Sequence, residues 1–411
     1  MSAGMHGEGS VGSRGFMGLA TLMQMALAGE DLTPVSQQLL ARAEANPGDA
    51  NAMLDLAIVL ELLGQTELSR SIQHDALQHQ QVYRLPANTE PPTLRLMAVV
   101  APGELMANTP VEFLVKDSDV SLDLLYVGEG IPAPAALPPH DLLFVGVGES
   151  VRNDALLHEL DQMIEGWPRP VLNRPARVAQ LSRDGARRLL DDVGGIDMPA
   201  PVRVDRGALE ALGRGEVEIG ALLSDGGFPL IVRPIDSHAG RGLARLDEPG
   251  AIAPYLNSLA DGGFYLARYV DYAGSDGRYR KYRIVLIDGR PFPVHMAISD
   301  HWMIHYLNAG MAEDAAKRAE EERFMADFDM DFAARHGSAL AAISEVVGLD
   351  YFGLDCAETR DGRLLIFELD SALVVHAMDP VDIFPYKQPA MRQLFAAFRQ
   401  LLLRRAGHGT P

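Results

Sequence analysis

The sequence predicts a mixed α/β and α+β protein, built from N-terminal helical hairpins, a small parallel-sheet domain and a larger two-part body. Three observations carry this. Residues 16 to about 85 repeat their apolar positions at helical spacing. From Leu94 onward, short apolar strands alternate with helical stretches, the order typical of a parallel sheet. Beyond Gly263 the chain reads as strand pairs joined by Asp288-Gly289 and Asp361-Gly362, turn dipeptides that favour tight hairpins.

At 411 residues the chain is long enough for two or three domains with sizeable cores. Its 47% hydrophobic and 22% charged residues are ordinary for a globular protein. A net charge of −20 argues against nucleic acid as a bulk partner, yet leaves room for a local basic pocket. The lone Cys356 excludes an intramolecular disulfide and a cysteine-rich zinc site, which points to a reduced, cytoplasmic setting. No segment has the length of an uninterrupted apolar membrane span.

Met1 to Arg14 is rich in Gly and Ser, so residues 1–15 read as a disordered tail. Phe16 to Leu27 is apolar, but it lacks a basic start and a cleavage site and reads as a packing helix. Thr33-Pro34 opens the next helix, with Thr33 as its cap. After a break at Asn46-Pro47-Gly48-Asp49, Ala50–Leu63 and Glu67–Tyr83 form a helical hairpin around Gly64. Small residues at Ala57, Gly64, Ser69 and Ala76 give this hairpin a spacing that resembles one tetratricopeptide repeat. A single repeat makes no solenoid, so residues 16–88 read as a helical cap that docks on the body or on a partner; plain helical packing is the alternative.

The Pro-rich stretch Leu85–Pro92 reads as a linker. A domain over 93–175 follows, with strands expected at Leu94–Val100, Glu112–Leu114, Ser121–Val127 and Asp141–Val147 and a helix at Asn153–Glu165. Gly146-Val147-Gly148-Glu149-Ser150 is glycine-rich but lacks the dinucleotide spacing. The body spans 176–405, in parts 176–262 and 263–405. Ser182 opens a helix, Phe228–Pro234 and Gly263–Val270 are strands, and Tyr282–Ile287 pairs with Pro291–Ala297. Helix is expected from Met311 to about Val347, broken near His336-Gly337, and again from Pro389 to Arg404.

Three pieces of the body carry chemistry. Arg233 ends a strand and is followed by the small-residue loop Ser237 to Gly242. Glycines let backbone N–H groups approach oxygens, and a guanidinium offers a fork of donors, so this piece suits polyphosphate. The apolar strand Phe264–Val270 closes on Asp271. Its backbone can meet an adenine edge and its acid the ribose hydroxyls. The third piece is the hairpin carrying Asp355, Glu368 and Asp370. Glu368 and Asp370, two residues apart on a strand, share a face, and the turn brings Asp355 alongside. Converging carboxylates call for a divalent cation, and hard oxygens with room for phosphate suit Mg²⁺; an exposed acidic hairpin end is the alternative.

In this order and spacing the pieces resemble the ATP-grasp superfamily, in particular its glutathione-synthetase and ribosomal-protein-glutamate-ligase branch, over about residues 94 to 405. The resemblance implies a pre-ATP-grasp α/β domain followed by a two-subdomain ATP-grasp fold. It also implies an ATP- and Mg²⁺-dependent ligase that joins a carboxylate to an amine through an acyl phosphate. Asp355, Glu368 and Asp370 match metal ligands. Arg233 and Arg183 match phosphate-binding positions, and Arg283 matches a basic residue facing the transferred phosphate. Ser237, His238, Ala239, Gly240 and Gly242 match the phosphate loop. Ala267, Arg268, Tyr269 and Val270 match the adenine hinge, and Asp271 the ribose acceptor.

The chain departs from the family in three places. Arg233 stands where a lysine is usual, a second lysine near residue 182 is absent with Arg183 or Arg187 as substitutes, and Asp370 replaces the usual amide. His295, His301, Trp302, His305 and Tyr306, with Asn308, follow the hairpin on the expected acceptor side. A substrate pocket, ordinary packing and a transition-metal site all remain open for them, the last needing a helix to bring His301 and His305 together. His376 and Asp379 read as either pocket lining or an ordinary turn. The expected substrates are a carboxylate and an amine, small molecule or peptide; a homodimer and a protein partner on the cap are left open. The rival readings are an ATP-dependent kinase and a nucleotide-sensing interaction protein without turnover.

Overall fold

The computed structural model describes residues 15–235, 237 and 240–408. Most of the expected N-terminal tail and the loop positions His238 and Ala239 lie outside the described residues. The chain forms two compact units, one of Met1–Leu105 with Val115–His140 and one of Met106–Leu114 with Asp141–Pro411. The first strands therefore belong with the helical cap, and the expected boundary at 88–93 falls inside the first unit.

The first unit begins with helices Gly18–Leu27 (α1), Thr33–Ala45 (α2), Ala50–Leu62 (α3) and Thr66–His79 (α4). Asp49 caps α3 by accepting from the Ala52 N–H at 3.0 Å. Ser69 lies where a small residue lets α4 approach α3, and its hydroxyl donates to the Ala57 carbonyl at 2.7 Å. Strands Val82–Leu85 (β1), Leu94–Val100 (β2) and Val120–Tyr126 (β3) follow; β2 runs parallel to β3, and β1 pairs with β3 antiparallel.

Three expectations need correction. Thr33 is the first helical residue rather than the cap, because Asp31 Oδ1 already accepts its N–H at 2.9 Å. The helix expected to reach Tyr83 stops at His79, since Tyr83 is buried in β1 against the rings of Phe16 and Tyr126. The strand expected at Glu112–Leu114 is the helix Val111–Val115 (α5), which starts just after Pro110.

The second unit continues with Leu142–Val145 (β4), Asp154–Met163 (α6) and Val171–Leu172 (β5), with β4 and β5 parallel. Pro175–Val178 (α7), Arg183–Leu189 (α8) and Ile196–Asp197 (β6) lead to an antiparallel four-stranded sheet. Its strands are Val202–Asp205 (β7), Leu230–Pro234 (β8), Ala244–Leu246 (β9) and Gly263–Arg268 (β10), in the order β7-β10-β8-β9. Leu230 and Val232 of β8, with Phe264 and Leu266 of β10, face a core completed by Arg206–Gly213 (α9), Ile219–Leu222 (α10) and Ile252–Asn257 (α11).

A second sheet joins Tyr279–Ile287 (β11), Arg290–Ser299 (β12), Tyr351–Glu358 (β13) and Leu364–Asp370 (β14) in the order β12-β11-β13-β14-β6. Asp288 and Gly289 both take positive φ, 51° and 80°, so the β11–β12 turn has the backbone that the sequence dictated. Helices Ala315–Ala326 (α12), Phe332–Val347 (α13) and Lys387–Arg405 (α14) complete the unit. The helical break falls between Ala326 and Phe332 instead of at Gly337. Buried His336 and its neighbours keep α13 packed across that glycine. Among the described residues no helix is long and apolar enough to cross a membrane.

Candidate active site

Strand register assembles the centre of the site. Arg283 on β11 lies opposite His295 on β12 and Asp355 on β13, and Asp355 lies opposite Glu368 on β14. These four residues form one row across the sheet, imidazole, guanidinium, carboxylate, carboxylate. Arg283 grips Asp355 bidentately, Nε to Oδ1 at 2.8 Å and Nη2 to Oδ2 at 3.0 Å. Lys281 Nζ adds a second cation, 2.6 Å from Asp355 Oδ2. Ser182 caps α8 by accepting from the Gly185 N–H, and the first helical residue, Arg183, reaches the end of the row. Its Nη2 donates to Glu368 Oε2 at 2.6 Å and its Nη1 to the Phe367 carbonyl at 3.1 Å.

Burial alone would raise the Asp355 carboxyl, but Arg283 and Lys281 more than offset it and hold the group well below its usual range. Burial likewise opposes ionisation of Glu368, and Arg183 reverses this. Asp370 is different. Burial and then the Glu368 charge push it up to about 7, against one Ala372 N–H that donates to its Oδ1 at 2.7 Å. Burial and the Arg283 charge hold His295 well below its usual value, and burial with Lys281 lowers His305.

The expectation of three gathered carboxylates is met only in part. Glu368 and Asp370 line one cleft with Arg183, Ser237, Tyr265 and Glu149, but Asp355 is enclosed by its two cations. Among the described residues no group of three or more His, Cys, Asp or Glu stands ready to hold a metal ion.

Arg233 on β8 is turned toward the loop that follows it. Its Nε donates to Ser237 Oγ at 3.0 Å, a second N–H meets the Ser237 carbonyl, and burial with nearby Arg183 lowers it to about 10. Ser237 is buried and donates to the Pro234 carbonyl at 2.8 Å. Gly240 and Gly242 take φ of 73° and 65°, a backbone that suits glycine, and a side chain at Gly240 would collide with the His305 ring.

On the hinge, Ala267 and Arg268 end β10. The Arg268 side chain pairs with Asp197 and with Asp225 at 3.3 Å, which commits it to the sheet edge. Arg245 lies 4.4 Å over the Tyr269 ring, and Val270 packs on a buried apolar cluster of Tyr272, Ala357 and Leu365 with Tyr279 and Phe367. Asp271 is half-exposed and paired with Arg360 at 2.8 Å.

The helix that would bring His301 and His305 onto one face does not form. Residues 300–303 are bends and 304–305 are irregular rather than helical, and His301 is exposed. Trp302 meets the Tyr269 ring edge-on at 5.9 Å, Asn308 Oδ1 accepts the His305 N–H at 3.2 Å, and the Tyr306 ring packs tilted against His295 at 4.5 Å. Tyr306 and Tyr386 both donate to Glu321 Oε2, at 2.9 and 2.6 Å, while Lys387 sits 3.7 Å from Glu321 and 3.3 Å from Asp379.

Sequence reasoning passed over Lys281, Glu321 and Lys387, and the trio of Asp184, Arg203 and Tyr265 at the cleft rim. Lys281 alone carried a signal, since it stands two residues before Arg283 on the same strand face.

No known family profile matches the chain, and no curated protein matches it. Among solved structures it is similar to the VanG D-Ala:D-Ser ligase of Enterococcus faecalis, at 13% identity and a TM-score of 0.46 over 75% of this chain and 99% of that one. The D-alanine–D-alanine ligase of Bacillus anthracis complexed with ATP gives 13% and 0.43 over 78% and 100%. A RimK domain ATP-grasp protein of Sphaerobacter thermophilus gives 15% and 0.42 over 74% and 98%. These scores and identities are slight, so what the site does is read from this chain's own residues.

Proposed function

We propose that the protein is an ATP-dependent carboxylate–amine ligase of ATP-grasp type that works through an acyl phosphate. The observation that carries this reading is the charged row His295, Arg283, Asp355 and Glu368, closed by Arg183 and flanked by the apolar hinge cluster. An apolar cluster beside a partly buried set of cations and acids suits a purine joined to phosphates.

In this reading the backbone of Ala267 to Val270 meets the adenine edge. Val270, Tyr272, Tyr279 and Phe367 keep the ring dry, and Asp271 takes the ribose hydroxyls after releasing Arg360. Gly240 and Gly242 present main-chain N–H groups to phosphate oxygens. Arg183, Arg233 and Arg283 offset the charge of the transferred phosphoryl group. A substrate carboxylate oxygen attacks the terminal phosphorus and ADP leaves; the amine then attacks the acyl carbon, phosphate leaves, and one proton is released. His295, His305 and Tyr306, with His301, Trp302 and Asn308 nearby, line the acceptor side. The neutral imidazoles of His295 and His305 add no positive charge to compete for the phosphate.

The donors at Glu368 and Asp370 fit Mg²⁺, being hard carboxylate oxygens, one of which resists ionisation because burial and the Glu368 charge outweigh Arg283. Asp355 would add a third carboxylate if Arg283 and Lys281 released it. When bound, the ion would offset the charge on the phosphate oxygens. Product analysis with ATP and panels of carboxylic acids and amines tests the proposal. ADP and phosphate formed only when both partners are present support the ligase. ADP with a stable phosphorylated product would instead mark a kinase, and ATP binding without turnover a sensor.

A further inference from the structure

Helix α3 is apolar almost all round. Asn51, Asp55 and Glu61 are its only polar residues, and nine of its 13 residues are buried. A helix of that pattern belongs in the middle of a packing, with neighbours on every side. Helices α1, α2 and α4 all pack on it, yet one face stays open. There Met53 and Leu56, three residues apart on the helix, form the floor of a groove of about 440 Å³. Helices α2 and α4 are its walls, lined by Leu40, which is 47% exposed, and by Ile72.

The walls are fixed in place. Ser69 of α4 bonds to the Ala57 carbonyl of α3, and Arg42 of α2 holds Asp49, the cap of α3, at 3.0 Å. On the far side of α4, Gln73 donates to the Gly103 carbonyl at 3.3 Å and accepts the Gly103 N–H at 2.8 Å. The groove is therefore preformed, as binding sites commonly are.

Its rim is acidic. Glu44 and Asp75 stand on opposite walls, and both are exposed. Residues 33–79 hold six Asp or Glu against two Arg and no Lys. Both guanidiniums are committed, Arg42 to Asp49 and Arg70 to Glu104 at 2.6 Å, so α2–α4 offer no cation to the rim acids.

We propose that this groove binds an amphipathic helix of a partner protein, with its apolar face inward and Lys or Arg beside that face. A trough between two helices over a third accepts a fourth by the residues that recur along one helical face. Basic side chains flanking those residues meet Glu44 and Asp75 on the two rims. A second copy of this acidic cap would set acid against acid and is disfavoured. The groove lies wholly within the first unit, so its ligand does not depend on what the second unit catalyses.

Selection of a random library of peptides of about 14 residues on the full-length protein tests this, since that length allows a short helix. An enriched peptide is then titrated by fluorescence anisotropy against the wild type, Leu40→Ser and the double variant Glu44→Lys/Asp75→Lys. Enriched sequences should repeat aliphatic residues at helical spacing, with Lys or Arg beside them. Leu40→Ser should weaken binding about tenfold. The double variant should weaken it to a similar extent and flatten its salt dependence. All three positions are exposed, so both variants should melt like the wild type. No enrichment, enriched sequences that are acidic or lack the apolar repeat, or an affinity that neither variant moves would overturn the inference. So would self-association of the wild type that Leu40→Ser abolishes, because the groove would then hold a second copy.

Discussion

Carboxylates in this protein are governed by what faces them. Asp355 is paired with two cations and is held far below the usual range, whereas burial pushes Asp55 the other way. Asp55 is buried on α3 and accepts from the Met17 and Gly18 N–H groups at 2.9 and 3.0 Å, which pins the start of α1. Burial raises it to about 7 from 3.8, with Arg42 and Asp49 the nearest charges. The folded state therefore keeps a proton that the unfolded chain releases above 3.8. The stability this confers is complete below that value and is lost as pH rises through about 7. Melting temperatures between about pH 6 and about pH 8 should fall more steeply for the wild type than for Asp55→Asn; parallel slopes would show that Asp55 does not titrate there. At this scale the sequence was readable where spacing is local. Glu368 and Asp370 share a strand face two residues apart, but the match of Lys281 to Asp355 depends on a pairing between distant strands that composition cannot reveal.

Elements were legible when turn chemistry and period agreed. Both Asp-Gly hairpins formed, and a helix opened at Ser182 as expected, with the serine as its cap. The misses lie where tertiary contacts decide. Val82–Leu85 leaves the helical pattern to pair with β3, and Phe332–Val347 runs unbroken through Gly337. Helix α8 matters most for the site because its first residue, Arg183, reaches Glu368. A side chain at Gly185 would collide with the Gln180 carbonyl and lie 2.8 Å from the Ser182 hydroxyl that caps the helix. Gly185→Ala should thus cost about 1–3 kcal/mol of stability. It should also weaken nucleotide binding by moving Arg183, which denaturation and binding curves on the same sample can check. A stable variant with normal binding would show that the cap does not position Arg183.

At the scale of the molecule, a chain of net charge −20 sets Arg183 and Arg203 among Glu149, Glu368 and Asp370 in one cleft of its second unit. The net negative charge disfavours a polyanionic ligand, while the two guanidiniums can meet the phosphates of a small one. The cleft's walls come from two sheets and from α8, so its composition was legible only as separate pieces until the register brought them together. On the proposed reading Glu368 and its row form the phosphate-handling half of an ATP site. ATP turnover in the wild type and in Glu368→Gln, with melting temperature as the control for folding, is the decisive comparison. Turnover should fall roughly a hundredfold or more in a variant that melts like the wild type, whereas wild-type turnover in Glu368→Gln would rule the reading out.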